Sequence, residues 1–136
     1  MKLELIVVPV ADVDRAKAFY AEKAGFTVDV DFSAGEDFRV VQLTPPGSAC
    51  SVALMKNKET AGSLQGLHLV VTDIDAARAE LAGRGLEVGD VFHFGAGGQA
   101  PGHDPERRDY GSFASFSDPD GNGWLLQEVR RDGSAA

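Results

Sequence analysis

Val8-Pro-Val-Ala-Asp-Val-Asp-Arg-Ala-Lys-Ala-Phe-Tyr20 recurs 61 residues later as Leu69-Val-Val-Thr-Asp-Ile-Asp-Ala-Ala-Arg-Ala-Glu-Leu81. Asp12 matches Asp73, Asp14 matches Asp75 and Ala18 matches Ala79, so the chain is an internal repeat, and that reading comes before any local motif. After one deletion Gly25-Phe26-Thr27-Val28 continues the match as Gly85-Leu86-Glu87-Val88. In each half an apolar run leads to an aspartate placed to accept from the exposed amides of a helix start. Val13, Ala16, Tyr20 and Ala24, like Ile74, Ala77 and Leu81, fall at three- and four-residue spacings, which predicts a helix with one apolar side. Gly25 and Gly85 then stand where a left-handed residue ends such a helix.

Strand patterns follow each helix. They run over Phe26 to Phe32, Phe38 to Thr44 and Ser51 to Met55 in the first half, then Leu86 to Phe94, Ser112 to Ser117 and Trp124 to Val129 in the second. Thr44-Pro-Pro-Gly47 and Asp118-Pro-Asp-Gly-Asn122 supply turns between the last two strands of each half. The prediction is an α+β fold of two β-α-β-β-β modules, residues 1–60 and 61–131, forming a curved mixed sheet around a cleft, with a flexible tail at 132–136.

Composition narrows the function classes. The 136 residues suffice for one ordinary domain, and 13 Lys plus Arg against 21 Asp plus Glu leave a net charge of −8, which repels nucleic acid and anionic membranes. The apolar run near Leu5 to Ala11 is far too short to span a bilayer. Met1-Lys2-Leu3-Glu4-Leu5 has no secretory pattern, so a cytoplasmic protein is expected. Cys50 is the one cysteine, which excludes an intramolecular disulfide and a cysteine-rich zinc site.

Two lookalike motifs are set aside. Asp118, Asp120 and Asn122 mimic a calcium loop, but its twelfth position is Val129 and strands flank it. Gly95-Ala-Gly-Gly98 lacks the Lys-Ser/Thr and the helix of a phosphate cradle. The second half also spends eighteen residues, Gly95 to Ser112, where the first spends five. A loop of that length predicts a lid. His103, Arg107, Arg108 and Tyr110 suit a cover over a planar or anionic ligand, whereas Asp104, Glu106 and Asp109 offer local ion-pair partners that make it plain surface.

The paired modules, the Pro9-Val10-Ala11-Asp12 helix entry with Phe19-Tyr20, and Asp118-Pro119-Asp120-Gly121-Asn122 before the final strand resemble the vicinal oxygen chelate superfamily. That group holds glyoxalase I, extradiol dioxygenases, thiol transferases and bleomycin-resistance proteins. In its metal-dependent members a His or Gln on the first strand and a Glu or Gln on the last strand of each module hold a divalent ion. Carried over by position, these places fall on Leu5, Gly66, Leu125 and Ser51, or Ala53 if the Thr44 to Gly47 loop is read differently. None is an ordinary ligand, so no metal site and no cofactor are expected, and glyoxalase and dioxygenase chemistries lose their support. A displaced divalent metal site built from His68, Gln127 and His93 is the less favoured option.

Residues two apart on a strand share a face. His68, two beyond Gly66, and Gln127, two beyond Leu125, are therefore expected in the cleft, with Leu5, Val7, Ser51, Ala53, Val70 and Leu125 as apolar wall and Tyr110 from the lid. His68 reads either as a catalytic or ligand-contacting imidazole or as a satisfied core histidine. The resemblance and the missing ligand set favour a homodimeric binding protein for a small organic ligand. The alternative is a glyoxalase-like lyase, isomerase or dioxygenase-type enzyme using His68 as acid/base or a non-standard metal site.

Overall fold

The computed structural model describes residues 1–130, so the tail expected at 132–136 lies outside the described residues. The chain divides into two compact units. One comprises Met1–Gln65 with the turn Ser117–Asn122, and the other Gly66–Phe116 with the chain from Gly123 onward. No helix among the described residues is long and apolar enough to cross a membrane. The fold is α+β, with one mixed sheet in each unit.

The first unit runs β1 (Leu5–Val10), α1 (Val13–Ala18) continuing into a π-helical turn (Phe19–Lys23), β2 (Thr27–Ala34), β3 (Phe38–Thr44) and β4 (Ser51–Lys56). Its sheet order is β1-β4-β3-β2, with β1 parallel to β4 and the other pairs antiparallel. Asp12 caps α1 in extended geometry, its carboxylate accepting from Arg15 N–H at 3.1 Å. The wider π turn, closed by Ala24 N–H to the Phe19 carbonyl, lets the consecutive rings of Phe19 and Tyr20 both be buried. Gly25, at φ +76°, then ends the helix as the sequence predicts.

The turn Ser117–Asn122 belongs to this unit. Asp118 Oδ1 accepts from the Asp120 and Asn122 backbone N–H groups, and Oδ2 accepts from Tyr20 Oη–H and Asn122 Nδ2–H at 2.8 Å each. Asn122 also donates to the Pro9 carbonyl and accepts from Leu64 N–H. The carboxylate and amide that mimic a calcium loop are thus committed to holding a turn.

The second unit runs β5 (Leu67–Val71), α2 (Ile74–Gly83), β6 (Phe92–Gly95), β7 (Gly98–Pro101), β8 (Ser112–Ser117) and β9 (Gly123–Glu128), in sheet order β5-β9-β8-β6-β7. Asp73 caps α2 through the Asp75 and Ala76 amides, and Gly85 sits at φ +92°. Two sequence expectations are corrected here. The strand predicted from Leu86 begins only at Phe92: Leu86 and Val91 bury their side chains, and the intervening chain is held by Gly89 N–H on the Ser115 carbonyl and by Arg78, which donates to the Gly89 and Val88 carbonyls. The start of the long loop predicted as a lid is instead a hairpin: β6 and β7 pair from Phe92↔Pro101 to Gly95↔Gly98 around a two-residue turn.

Candidate functional site

The register of each sheet sorts its side chains into two faces. In the second unit, Glu128 Oε2 accepts from Ile74 N–H at the start of α2, so Glu128, Leu126 and Trp124 face that helix and are buried. Leu125 and Gln127 therefore point to the opposite face. Across the parallel pair they meet His68 and Val70, since His68↔Leu125 and Val70↔Gln127 are register partners. This brings together four of the predicted site residues.

Three phenylalanines extend that face. Phe113 of β8 lies edge-on to His68, with ring centroids 6.5 Å apart. It stacks on Phe92 at 5.6 Å and meets Phe94 edge-on at 5.4 Å. Phe94 is 60% exposed and Val70 58%, although both are large apolar side chains. Sequence reasoning missed these rings. Phe92-x-Phe94 carries the signal, because two aromatics at a spacing of two must share a strand face.

His68 is exposed, so the core-histidine reading does not hold. Its Nδ1 lies 2.6 Å from the Gly66 carbonyl, which can only accept, so Nδ1 donates there. His93 alternates with Phe92 and Phe94 and so lies on the other face, with Nδ1 on the Gly102 carbonyl. That removes it from a displaced metal site with His68 and Gln127.

Residues 102–111 form a strap fastened to β9. Arg107 donates twice to the fully buried Glu128, from Nε at 3.0 Å and Nη2 at 2.7 Å. Burial pushes the Glu128 carboxyl up, but the guanidinium and the Ile74 amide outweigh it and hold it below the usual carboxylate range. Arg108 grips Asp104 through Nε and Nη2 at 3.0 and 2.8 Å, which holds the Asp104 carboxyl far below its ordinary value. Tyr110 N–H donates to the Glu128 carbonyl, Gln127 Nε2–H to the Tyr110 carbonyl and Arg130 N–H to Asp109 Oδ1. His103 closes the other end on Asp75 at 2.8 Å. Arg107 and Tyr110 adopt φ of +52° and +66°, a left-handed backbone these residues rarely take. Beside the strap is a concavity of about 280 Å³ lined by Phe94, Phe113, Tyr110, Asp104, Arg108 and Asp109.

In the first unit, Lys17 and Arg39 meet Asp31, and Arg39 also meets Asp14. This marks the α1 face of β2 and β3. By alternation Val30, Phe32 and Val40 lie on the opposite face, and the registers Leu5↔Ser51 and Val7↔Ala53 place those four predicted residues there too. Val7 and Phe32 are exposed, and the Thr44 and Ser51 hydroxyls meet at 2.7 Å.

The same registers settle which residues stand where the superfamily resemblance implies a metal. His68↔Leu125 in the second unit matches Val7↔Ala53 in the first, so Ala53, not Ser51, corresponds to Leu125. Leu5, Ala53 and Leu125 offer no donor atom, and Gly66 offers only a carbonyl already engaged by His68. These residues do not fit a divalent ion. Among the described residues no three His, Cys, Asp or Glu side chains are grouped to hold one elsewhere.

A β-α-β-β-β unit followed by a second unit of the same order with one added strand, each with one sheet face turned away from its helix, is a paired-module α+β architecture. The chain belongs to the Glyoxalase/Bleomycin resistance protein/Dioxygenase superfamily, whose family model matches residues 2–126. Among solved structures it is similar to TnmS3, an antibiotic binding protein from Streptomyces sp. CB03234, at 35% identity and TM-score 0.73, covering 95% of this chain and 96% of that one. A glyoxalase/bleomycin resistance protein from the same organism shares 36% identity, with TM-score 0.70 and coverage of 93% and 100%. The uncharacterized protein YetH of Bacillus subtilis (strain 168) is 27% identical over 127 residues, which is 90% of this chain and 94% of YetH.

Proposed function

We propose that this protein binds a small aromatic organic ligand on the open face of its second unit and holds it without transforming it. The observation that carries the reading is the row Phe92, Phe94 and Phe113, edged by His68, on a sheet face that no helix among the described residues of its unit covers, with Phe94 exposed and the other two rings half-buried. Exposed aromatic surface costs solubility and contributes nothing to folding, so its natural use is to meet another ring. The likeness to an antibiotic binding protein supports a natural-product ligand. His68, Val70, Leu125, Gln127 and Tyr110 border this surface, and Leu5, Val7, Ser51 and Ala53 lie on the face of the first unit's sheet turned away from α1. A cytoplasmic homodimer remains the expected assembly.

The test is a thermal-shift screen of aromatic natural products, followed by titration of a hit and mass analysis of the recovered compound. A stoichiometric hit recovered intact, with affinity reduced about tenfold or more by Phe113→Ala, is the expected result. The exposed ring of His68, oriented by its Nδ1 contact with the Gly66 carbonyl, favours one second reading, acid/base catalysis. A converted compound, with conversion lost in His68→Ala, would establish that instead.

A further inference from the structure

We infer that the concavity beside the strap selects the cationic end of its ligand, with Asp109 as counter-charge and Phe94, Phe113 and Tyr110 as ring walls. The inference rests on the aromatic-ligand reading above and adds the charge class of the ligand. Of the two sequence readings of the loop, a cover over a planar or anionic ligand and a locally ion-paired surface, it departs from the anionic one. Both guanidinium groups are already engaged: Arg107 is locked on the buried carboxylate of Glu128, and Arg108 is held by Asp104 in two-point contact with Glu106 at 3.6 Å. An anion entering here would have to compete with a carboxylate for either one.

The negative charge is not spent in the same way. Of the three charged residues lining the concavity, Asp104 and Arg108 cancel and Asp109 remains. Asp109 accepts a backbone N–H through Oδ1 and makes no ion pair among the described residues. The net charge of −8 adds a field of the same sign. The rings contribute too, since aromatic faces carry partial negative charge and attract an ammonium or guanidinium placed over them. Phe94 and Phe113 meet at 69°, and Tyr110 is 47% exposed. About 280 Å³ is small for a whole natural product but suits one protonated amine with its neighbouring ring. The left-handed backbone at Tyr110, fastened by bonds at both its N–H and its carbonyl, keeps this wall in place.

Three probes that share a ring and differ in charge test the inference: naphthylmethylammonium, naphthylmethanol and naphthoate, titrated by naphthalene fluorescence in low and high salt. The cation should bind at least tenfold tighter than the anion, and added salt should shrink that ratio. Asp109→Asn keeps an acceptor for Arg130 N–H while removing the charge, and should bring the cation-to-anion ratio below about threefold. A uniform loss of folding would leave the ratio unchanged, so the ratio reads the charge alone. An anion that binds as well as the cation, or a ratio untouched by Asp109→Asn, would overturn the cation preference and leave the aromatic site standing. If none of the three binds, the aromatic-ligand reading falls and this inference falls with it.

Discussion

Replacing Arg107 by Met removes one guanidinium and keeps most of the side-chain stem and the same backbone strain at φ +52°. What it exposes is Glu128, whose side chain is fully buried and whose carboxylate would retain only the bond from Ile74 N–H. Removing one partner from a fully buried ion pair costs about 3–5 kcal/mol. Arg107 is 30% exposed, so water reaches the vacated side and the expected loss is at the low end, about 3 kcal/mol. For a chain of this length that is a fall of about 10 °C in melting temperature. The pH dependence carries the sharper signature. In the native protein the Glu128 carboxyl lies below its ordinary 4.5, so its stabilisation is present above that value and is lost as pH falls through the folded value. In Arg107→Met, burial, the largest influence on this group, is opposed only by the Ile74 amide and the charge of Arg130, and it raises the carboxyl above its unfolded value. Stability then increases on acidification from pH 7 towards pH 5, by about 1.4 kcal/mol for each pH unit over which folding takes up the proton. Urea unfolding at pH 5 and pH 7 measures both effects, and Arg107→Met/Glu128→Gln should recover most of the loss with no inverted slope. A single variant that loses under 1 kcal/mol and keeps the native direction of pH dependence would refute the argument that Arg107 neutralises a buried charge.

Tyr20→Phe takes one of four hydrogen bonds from the Asp118 carboxylate in a buried setting and should cost about 2 kcal/mol in urea unfolding; an unchanged midpoint would mean that the turn holds without it. His68→Ala removes an exposed ring and should shift stability by less than about 0.5 kcal/mol, so a loss of 2 kcal/mol or more would show it packed after all. Zinc, nickel or manganese should leave the melting temperature unchanged, because Leu5, Gly66, Ala53 and Leu125 provide no ligand set; stoichiometric metal surviving exhaustive dialysis would contradict that.

The fold was legible because its signals are local and occur twice. Asp12 and Asp73 cap helices through their own next turn, and Gly25 and Gly85 need a positive φ that sequence alone announces. The strand alternation that aims His68, Val70, Leu125 and Gln127 to one face is equally local, and His68 and Val70 are the register partners of Leu125 and Gln127. The hairpin of β6 and β7 was not legible, since Gly95-Ala-Gly-Gly98 has the composition of a mobile loop, and its turn becomes visible only once β6 finds β8.

The strap shows where local reasoning about charge fails. Six charged residues between Asp104 and Asp109, counted with His103, invite pairing by proximity, and Arg108 does pair that way with Asp104, four residues off. Arg107, its neighbour, reaches Glu128, twenty-one residues away, because the left-handed backbone at 107 directs consecutive side chains apart. Nothing in the sequence marks that φ, since arginine carries no preference for it. The consequence is chemical. One arginine anchors the strap, the other is neutralised, and Asp109 is left over. The charge a ligand would meet is therefore opposite to the one that two adjacent arginines advertise.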